Sequence, residues 1–333
     1  MGGRRAWGVV GAVLTVLAAA QPVQALRPTL QATVEDLLAL PGPFAIGHRG
    51  SGENLGEDGS KPIENTVTSV RTAFAAGITV LEVDVQVTGD GEVAVFHDDV
   101  LPDDTCLNAL TLREIQARLP HVPSLQAILN HARQFNQASG PIRGLVIVEM
   151  KASSPRCDPD DTMDAVIAAA VAAVVHRMQM TDQVILASLS PALLYLAASE
   201  APGVARALTV NTLQFLTADE IRARGWTVTP IAKALHLGLP WAEVSGVFRL
   251  PGYAPADVVT TAAIVGARVV EADAVLLSTA GTPFVDALHG VGLKVFGYTA
   301  DQADHWALLV SLGVDGIYTN HIELGLANQA PIP

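Results

Sequence analysis

Short apolar runs alternate with longer stretches of helical spacing along most of the chain. Phe44 to Gly47 reads as a first strand that ends at His48. Asn65 to Ala76 reads as a helix that Gly77 stops, since glycine takes the left-handed conformation common just past helix ends. Thr79 to Val87 is a second strand. Gly89-Asp90-Gly91 is a turn signal, and Glu92 to Phe96 returns as a short strand into His97. Ser124 to Gln137 reads as a helix with Ser124 as a cap. Leu145 to Val148 is a buried strand, and Asp161 to Met178 is a helix rich in alanine and valine. Five more strands or strand-like runs follow, at Val184 to Ala187, Ala205 to Val210, Ala267 to Ala272, Leu293 to Tyr298 and Asp315 to Tyr318. Pro191 opens a helix between the first two of these. Gly281 to His289 and Asp301 to Leu312 supply helices between the last three. Residues 211–261, with Trp226, Trp241 and several prolines and glycines, are less regular and read as an enlarged loop or small insertion.

Eight strands alternating with helices predict an α/β chain folded as a (β/α)8 TIM barrel; an open doubly wound sheet is the competing arrangement. Polar residues separate the two. His48, Glu149 to Lys151, Ser188, Glu271, Tyr298 and Thr319 all fall at predicted strand C-terminal ends, where a barrel builds its site.

The two ends of the chain read differently. Met1 to Arg5 is a short basic start, Trp7 to Ala20 is apolar, and Val23-Gln24-Ala25 matches a small-x-small cleavage site. The apolar run is shorter than the ~20 residues a membrane-spanning helix needs. The expectation is a cleaved signal peptide over residues 1–25, one barrel domain over 26–333, and an exported protein, periplasmic or extracellular, without a stable membrane anchor. Half of the residues are hydrophobic and 16% are charged, enough apolar material for a large core. A net charge of −13 argues against nucleic acid as a partner. The sequence is silent on the oligomeric state. Two cysteines, Cys106 and Cys157, are compatible with one disulfide in an oxidising compartment.

The densest chemistry lies between Ile46 and Asp98. On the second strand Glu82 and Asp84 share a face, because residues two apart point the same way. Two carboxylates held side by side repel unless a cation or proton lies between them. Glu149 adds a third hard oxygen ligand from the next strand. Carboxylates without cysteine or a histidine cluster suit one divalent cation, Mg²⁺ or Ca²⁺, rather than zinc. Lys151 shares a face with Glu149, and Arg49 follows His48; both suit a phosphate. His48 and His97 suit a general base and a general acid near neutral pH. His121, His131, His176, His236, His289 and His305 read as structural.

His48-Arg49-Gly50, Glu64-Asn65-Thr66, Glu82-x-Asp84, Asp90-Gly91 and His97-Asp98, in that order, resemble the signature of the glycerophosphodiester phosphodiesterase family. Glu149-x-Lys151 matches its third-strand motif, and Gly313 to Asn320 resembles its closing strand. The resemblance implies a barrel that uses one divalent metal to split glycerophosphodiesters into glycerol 3-phosphate and an alcohol. By that resemblance Glu82, Asp84 and Glu149 hold the metal, and His48 and His97 are the acid–base pair. Arg49 and Lys151 bind phosphate, with Glu64 and Tyr298 also at the substrate.

The chain departs from the family pattern at Ile63, where proline is usual, and in the longer stretch Ser51 to Pro62. Tyr298 stands where many members have tryptophan, and Ser188-Leu189 replaces a common Ser-Phe. Two other readings compete: a secreted phospholipase D-like enzyme acting on lysolipid or sphingolipid head groups, and a non-catalytic phosphodiester-binding protein. Glu64-Asn65-Thr66 and the complete eight-strand pattern count against the first, and the complete set of reactive residues against the second. A disulfide between Cys106 and Cys157 is expected, since both follow strands that neighbour each other on one face of the barrel.

Overall fold

The structure, a computed structural model, describes residues 33–136, 144–215 and 255–330. Eight parallel strands form its centre: β1 (Phe44–Gly47), β2 (Val80–Val87), β4 (Leu145–Met150), β5 (Val184–Ser188), β6 (Ala205–Val210), β7 (Val269–Asp273), β8 (Lys294–Tyr298) and β9 (Gly316–Thr319). Each pairs with the next, and β1 pairs with both β2 and β9, which closes the sheet into a barrel. The short β3 (Val93–Val95) lies antiparallel on β2 outside the ring. The barrel and its strand order are those the alternating pattern predicts, and the doubly wound alternative is excluded by the β1–β9 pairing.

Strand alternation divides the core in two. Leu81, Val83 and Val85 of β2 and Val146 and Val148 of β4 face outward into a layer shared with the helices. Phe44, Ile46, Val80, Leu145, Ile147 and Phe296 belong to a separate buried cluster inside the ring. A strand apolar on both faces reads as a continuous run, which is why these strands stand out in sequence. The helix α1 (Val34–Leu38) joins the inner cluster with Val34, Leu37 and Leu38. Moving up β2 from Val80, the same inward alternation delivers Glu82 and then Asp84. Both are at most 2% exposed.

The outer helices begin with α2 (Val67–Ala76), which ends at Gly77 with φ 110°, the left-handed stop expected there. α3 (Leu112–Arg118) and α4 (Leu125–Asn136) follow β3, and α5 (Met163–Met178) and α6 (Pro191–Glu200) flank β5. α7 (Pro255–Val265) precedes β7 and begins inside the stretch read as irregular, so that reading ended too late. Residues 216–254 of that stretch and the expected signal peptide lie outside the described residues. α8 (Ala274–Ala280), α9 (Thr282–His289), α10 (Ala303–Ser311) and α11 (Ile322–Asn328) complete the series. Four short helices, α1, α3, α8 and α11, were not expected. Among the described residues no helix is long and apolar enough to cross a membrane.

Candidate active site

The loop after β1 is the tightest part of the site. A side chain at Gly47 would place its Cβ 2.1 Å from the Gly50 carbonyl oxygen, so the chain folds back on itself only with glycine there. Arg49 then takes φ 49°, and Asn65 across the site takes φ 56°. Non-glycine residues in this left-handed region concentrate at functional sites. The turn is held from β2, where the Glu82 carbonyl accepts from Gly50 N–H at 3.0 Å and the Glu82 carboxylate accepts from Arg49 N–H at 3.0 Å.

Glu64-Asn65-Thr66 distributes three tasks over three adjacent residues. Glu64 accepts from Arg49 Nη1 at 2.8 Å and from Asn54 N–H at 3.0 Å. It is buried with both oxygens engaged, and it orients Arg49. Asn65 donates from Nδ2 to Asp84 Oδ2 at 2.9 Å and accepts from Asp84 N–H at 3.1 Å. Thr66 caps α2 by accepting from Ser69 N–H.

Glu82, Asp84 and Glu149 meet as β2 and β4 pair in parallel, with Asp84 opposite Glu149. One carboxylate oxygen from each lies within 4.8 Å of the others. Lys151 Nζ bridges two of them, 2.9 Å from Asp84 Oδ1 and 2.8 Å from Glu149 Oε2. Arg49 Nε lies 3.3 Å from Asp84 Oδ2, an ion pair that lacks hydrogen-bond alignment. Burial alone would raise the Asp84 pKa, but Lys151, His97 and Arg49 outweigh it and hold Asp84 well below the usual carboxylate range. Glu82 goes the other way. Burial raises it, and the charges of Asp84 and Glu149 raise it further. Its Oε1 is buried without a hydrogen-bond partner. A triplet of hard oxygen donors with one orphaned buried oxygen fits a divalent cation of the Mg²⁺ or Ca²⁺ kind.

The histidines flank this cluster. His48 Nδ1 is 2.8 Å from Asn320 Oδ1, and its Nε2 is 3.9 Å from Glu82 Oε2. Burial, followed by the Arg49 charge, lowers the His48 pKa to about 4. His97 follows β3, and its loop is tied down where Phe96 N–H donates to the Asp84 carbonyl and Gln86 Nε2 to the His97 carbonyl. His97 Nδ1 lies 2.9 Å from Asp98 Oδ1. Cys106 and Cys157 form a disulfide, Cα to Cα 5.6 Å, that joins the His97 loop to the loop after Lys151.

Tyr298 sits at the C-terminal end of β8, and its hydroxyl donates to the Val210 carbonyl at 2.9 Å. Its ring meets Tyr318 edge-on with centroids 6.2 Å apart, and Tyr318 meets His48 in the same way. Tyr318 donates to Glu271 at 2.5 Å, and Thr209 donates to the other Glu271 oxygen at 2.8 Å. Burial raises the Glu271 pKa to about 7 against the opposing pull of those two hydroxyls. Gln86, Asp301, Asn320 and the partners of Glu271 escaped the sequence reading. Asn320 was visible only as the last residue of the closing-strand motif.

A barrel mouth that sets two cationic side chains and a carboxylate triplet between paired histidines is of the kind that cleaves phosphodiesters. The chain belongs to the glycerophosphoryl diester phosphodiesterase family, whose sequence profile matches residues 48–324. A crystal structure from Silicibacter pomeroyi DSS-3, assigned to the same enzyme type, superposes with a TM-score of 0.63 at 21% identity, covering 88% of this chain and 95% of that one. An Oleispira antarctica phosphodiesterase, solved with its product sn-glycerol-3-phosphate, gives a TM-score of 0.58 at 17% identity over 86% of this chain and 97% of that one. At these identities the two structures speak for the fold. A curated glycerophosphocholine phosphodiesterase from Eremothecium gossypii is 35% identical over 94 residues, 26% of this chain. The match spans only 7% of that longer protein.

Proposed function

We propose that the chain hydrolyses glycerophosphodiesters to glycerol 3-phosphate and an alcohol, with His48 and His97 as its acid–base pair. The observation that carries this reading is the carboxylate triplet with its orphaned Glu82 Oε1, the other Glu82 oxygen, Oε2, lying 3.9 Å from His48 Nε2. Glu82, Asp84 and Glu149 would hold one divalent cation, which supplies Lewis-acid polarisation of the non-bridging phosphate oxygens. Arg49 and Lys151 neutralise charge on the same oxygens, Arg49 through its fork of donors and Lys151 as a point charge. Tyr298, at the C-terminal end of β8, is the aromatic side chain this reading sets beside the substrate.

No serine, threonine or cysteine in the motifs is placed as a nucleophile, so the substrate supplies its own. The glycerol 2-hydroxyl attacks phosphorus while one histidine takes its proton. The bond to the head-group oxygen breaks, and that oxygen takes a proton from the other histidine. Water then opens the resulting cyclic phosphate, giving its proton to the histidine that has just lost one. The histidine that gained a proton returns it to the 2-oxygen, and glycerol 3-phosphate leaves. Intramolecular attack of this kind reaches effective molarities of 10⁵–10⁸ M.

The experiment is hydrolysis of glycerophosphocholine with EDTA, then with Mg²⁺ or Ca²⁺ restored. The expected result is product formation that stops with chelator and returns with a cation. Turnover unaffected by thorough chelation would remove the cation from the reading. Turnover of a 2-deoxy analogue at a rate similar to the natural substrate would replace the cyclic route by direct attack of water. The disulfide suits an oxidising compartment, which supports export. N-terminal sequencing of the expressed protein tests it, with a mature start near Leu26 expected.

A further inference from the structure

We propose that Asp301 and Asn320 are positioning residues that fix the His48 ring, its Nδ1 hydrogen held by Asn320 and its Nε2 lone pair turned to the carboxylate cluster. His48 is then the base of the first step and His97 its acid. This rests on the acid–base reading above and supplies what that reading leaves open.

The orientation of the Asn320 amide follows from its neighbours. Glu53 N–H points at one terminal atom from 2.9 Å. A backbone N–H only donates, so that atom is the carbonyl oxygen Oδ1. The other terminal atom is 2.8 Å from Asp301 Oδ2. A carboxylate oxygen only accepts, so that atom is the amide nitrogen. Asp301 Oδ1 also accepts from Asn320 N–H at 2.7 Å, which fixes the backbone that carries the amide. Two independent constraints therefore assign the amide the same way round. His48 Nδ1, 2.8 Å from Oδ1, must carry a hydrogen. In the neutral ring the lone pair is left on Nε2, the atom nearest Glu82. His97 is held differently, its Nδ1 facing the Asp98 carboxylate at 2.9 Å. The ring held by the amide thus presents its lone pair to the site as acceptor, and the donor role falls to His97, the other histidine of the pair.

The test labels histidine with ¹⁵N in the full chain and assigns the His48 signals by their loss in His48→Gln. The expected spectrum of the neutral wild-type ring shows a protonated Nδ1 and an unprotonated Nε2. The reverse pattern overturns the proposal without any variant having to fold and without any substrate. A failure of the hydrolytic reading would therefore be told apart from a failure of this one. Asp301→Asn places an N–H donor where Asn320 needs an acceptor, so the Asn320 amide turns over and offers its own N–H to Nδ1. The proton of His48 then moves to Nε2, and kcat on glycerophosphocholine falls on the order of 10²-fold or more with KM little changed. The paired change Asp301→Asn with Asn320→Asp exchanges amide and carboxylate and restores an acceptor to Nδ1. It is expected to recover the wild-type nitrogen pattern and most of the lost kcat. Wild-type shifts and kcat in Asp301→Asn overturn the proposal, as does a paired variant that folds but recovers neither.

Discussion

Around the barrel mouth, β1, β2, β4 and β9 form one half and β5 to β8 the other, and the two treat their polar groups differently. In the second half each inward polar group closes on a neighbour. Ser188 Oγ donates to the Met150 carbonyl, Tyr298 to the Val210 carbonyl, and Thr209 and Tyr318 to Glu271. In the first half, Glu82 keeps an oxygen without a partner and three carboxylates crowd together. Buried polar groups are ordinarily satisfied, so the half that breaks the rule is the half built for a ligand. The other half closes its polar groups on one another, although its residues also occupy strand C-terminal ends.

The sharpest way to break that comparison is to neutralise the crowded half. Glu82→Gln and Glu149→Gln are each expected to weaken Mg²⁺ and Ca²⁺ binding and to lower turnover on the order of 10³-fold, while the fold persists. Calorimetric titration reads the binding, and undiminished affinity in both variants would remove these residues from the cation site. Next in size are the histidines. His48→Ala and His97→Ala should each lower kcat by ~10²–10⁴-fold, the usual worth of general acid–base help. A rate assay that finds either variant near wild type would dissolve the pair.

The disulfide tests the scaffold of the crowded half. Cys106 and Cys157 are 51 residues apart, and closing a loop of that length contributes roughly 4 kcal/mol in the chain-entropy model, whose basis is disputed. Replacing both by serine is expected to lower denaturant stability by an amount of that order. It should lower kcat as well, because the bridge joins the loops of His97 and Lys151. Stability equal to wild type would show that the Asn108 to Cys157 carbonyl bond and the Asp99 to Ser154 bond hold those loops unaided.

Much of the first half was legible in sequence because its signals are local. Glu82 and Asp84 are two residues apart on one strand, and His48-Arg49-Gly50 is one turn. The strands were legible because both faces of a barrel strand are buried, which leaves unbroken apolar runs. What was missed has two causes. The short helices carry few turns of periodicity, so only their caps announce them. Thr111 and Glu114 do form a capping box at the start of α3, and Asp273 caps α8. The second cause is distance along the chain. Asn320 reaches His48 across 272 residues, and Glu271 reaches Tyr318 across 47. Only closure of the ring brings such partners together, and no spacing rule announces it. Glu64 shows the converse: a motif residue whose type was legible but whose direction was set by Arg49 and Asn54.

The smallest effect concerns the satisfied half, where Glu271 is the one buried acid on the described strands β5 to β8. Its pKa is raised from 4.5 to about 7, mainly by burial, so the folded chain holds this proton more tightly than the unfolded chain does. Below pH 4.5 the carboxyl is protonated in both states and its contribution to stability is complete. As pH rises toward about 7 the unfolded chain gives up the proton first, and the contribution is lost across that window. A difference of this size corresponds to about 3 kcal/mol at most. Glu271→Gln cannot ionise, yet its amide oxygen still accepts from Tyr318. Denaturant melts in EDTA at pH 4.5 and pH 8 are therefore expected to show the variant gaining on wild type by up to about 3 kcal/mol between the two. The other carboxylates are common to both proteins and cancel in the comparison. A gap that stays constant with pH would mean that Tyr318 and Thr209 stabilise the ionised form as well as water does. The two halves would then differ only in having a ligand to bind, and no longer in the cost of their buried charge.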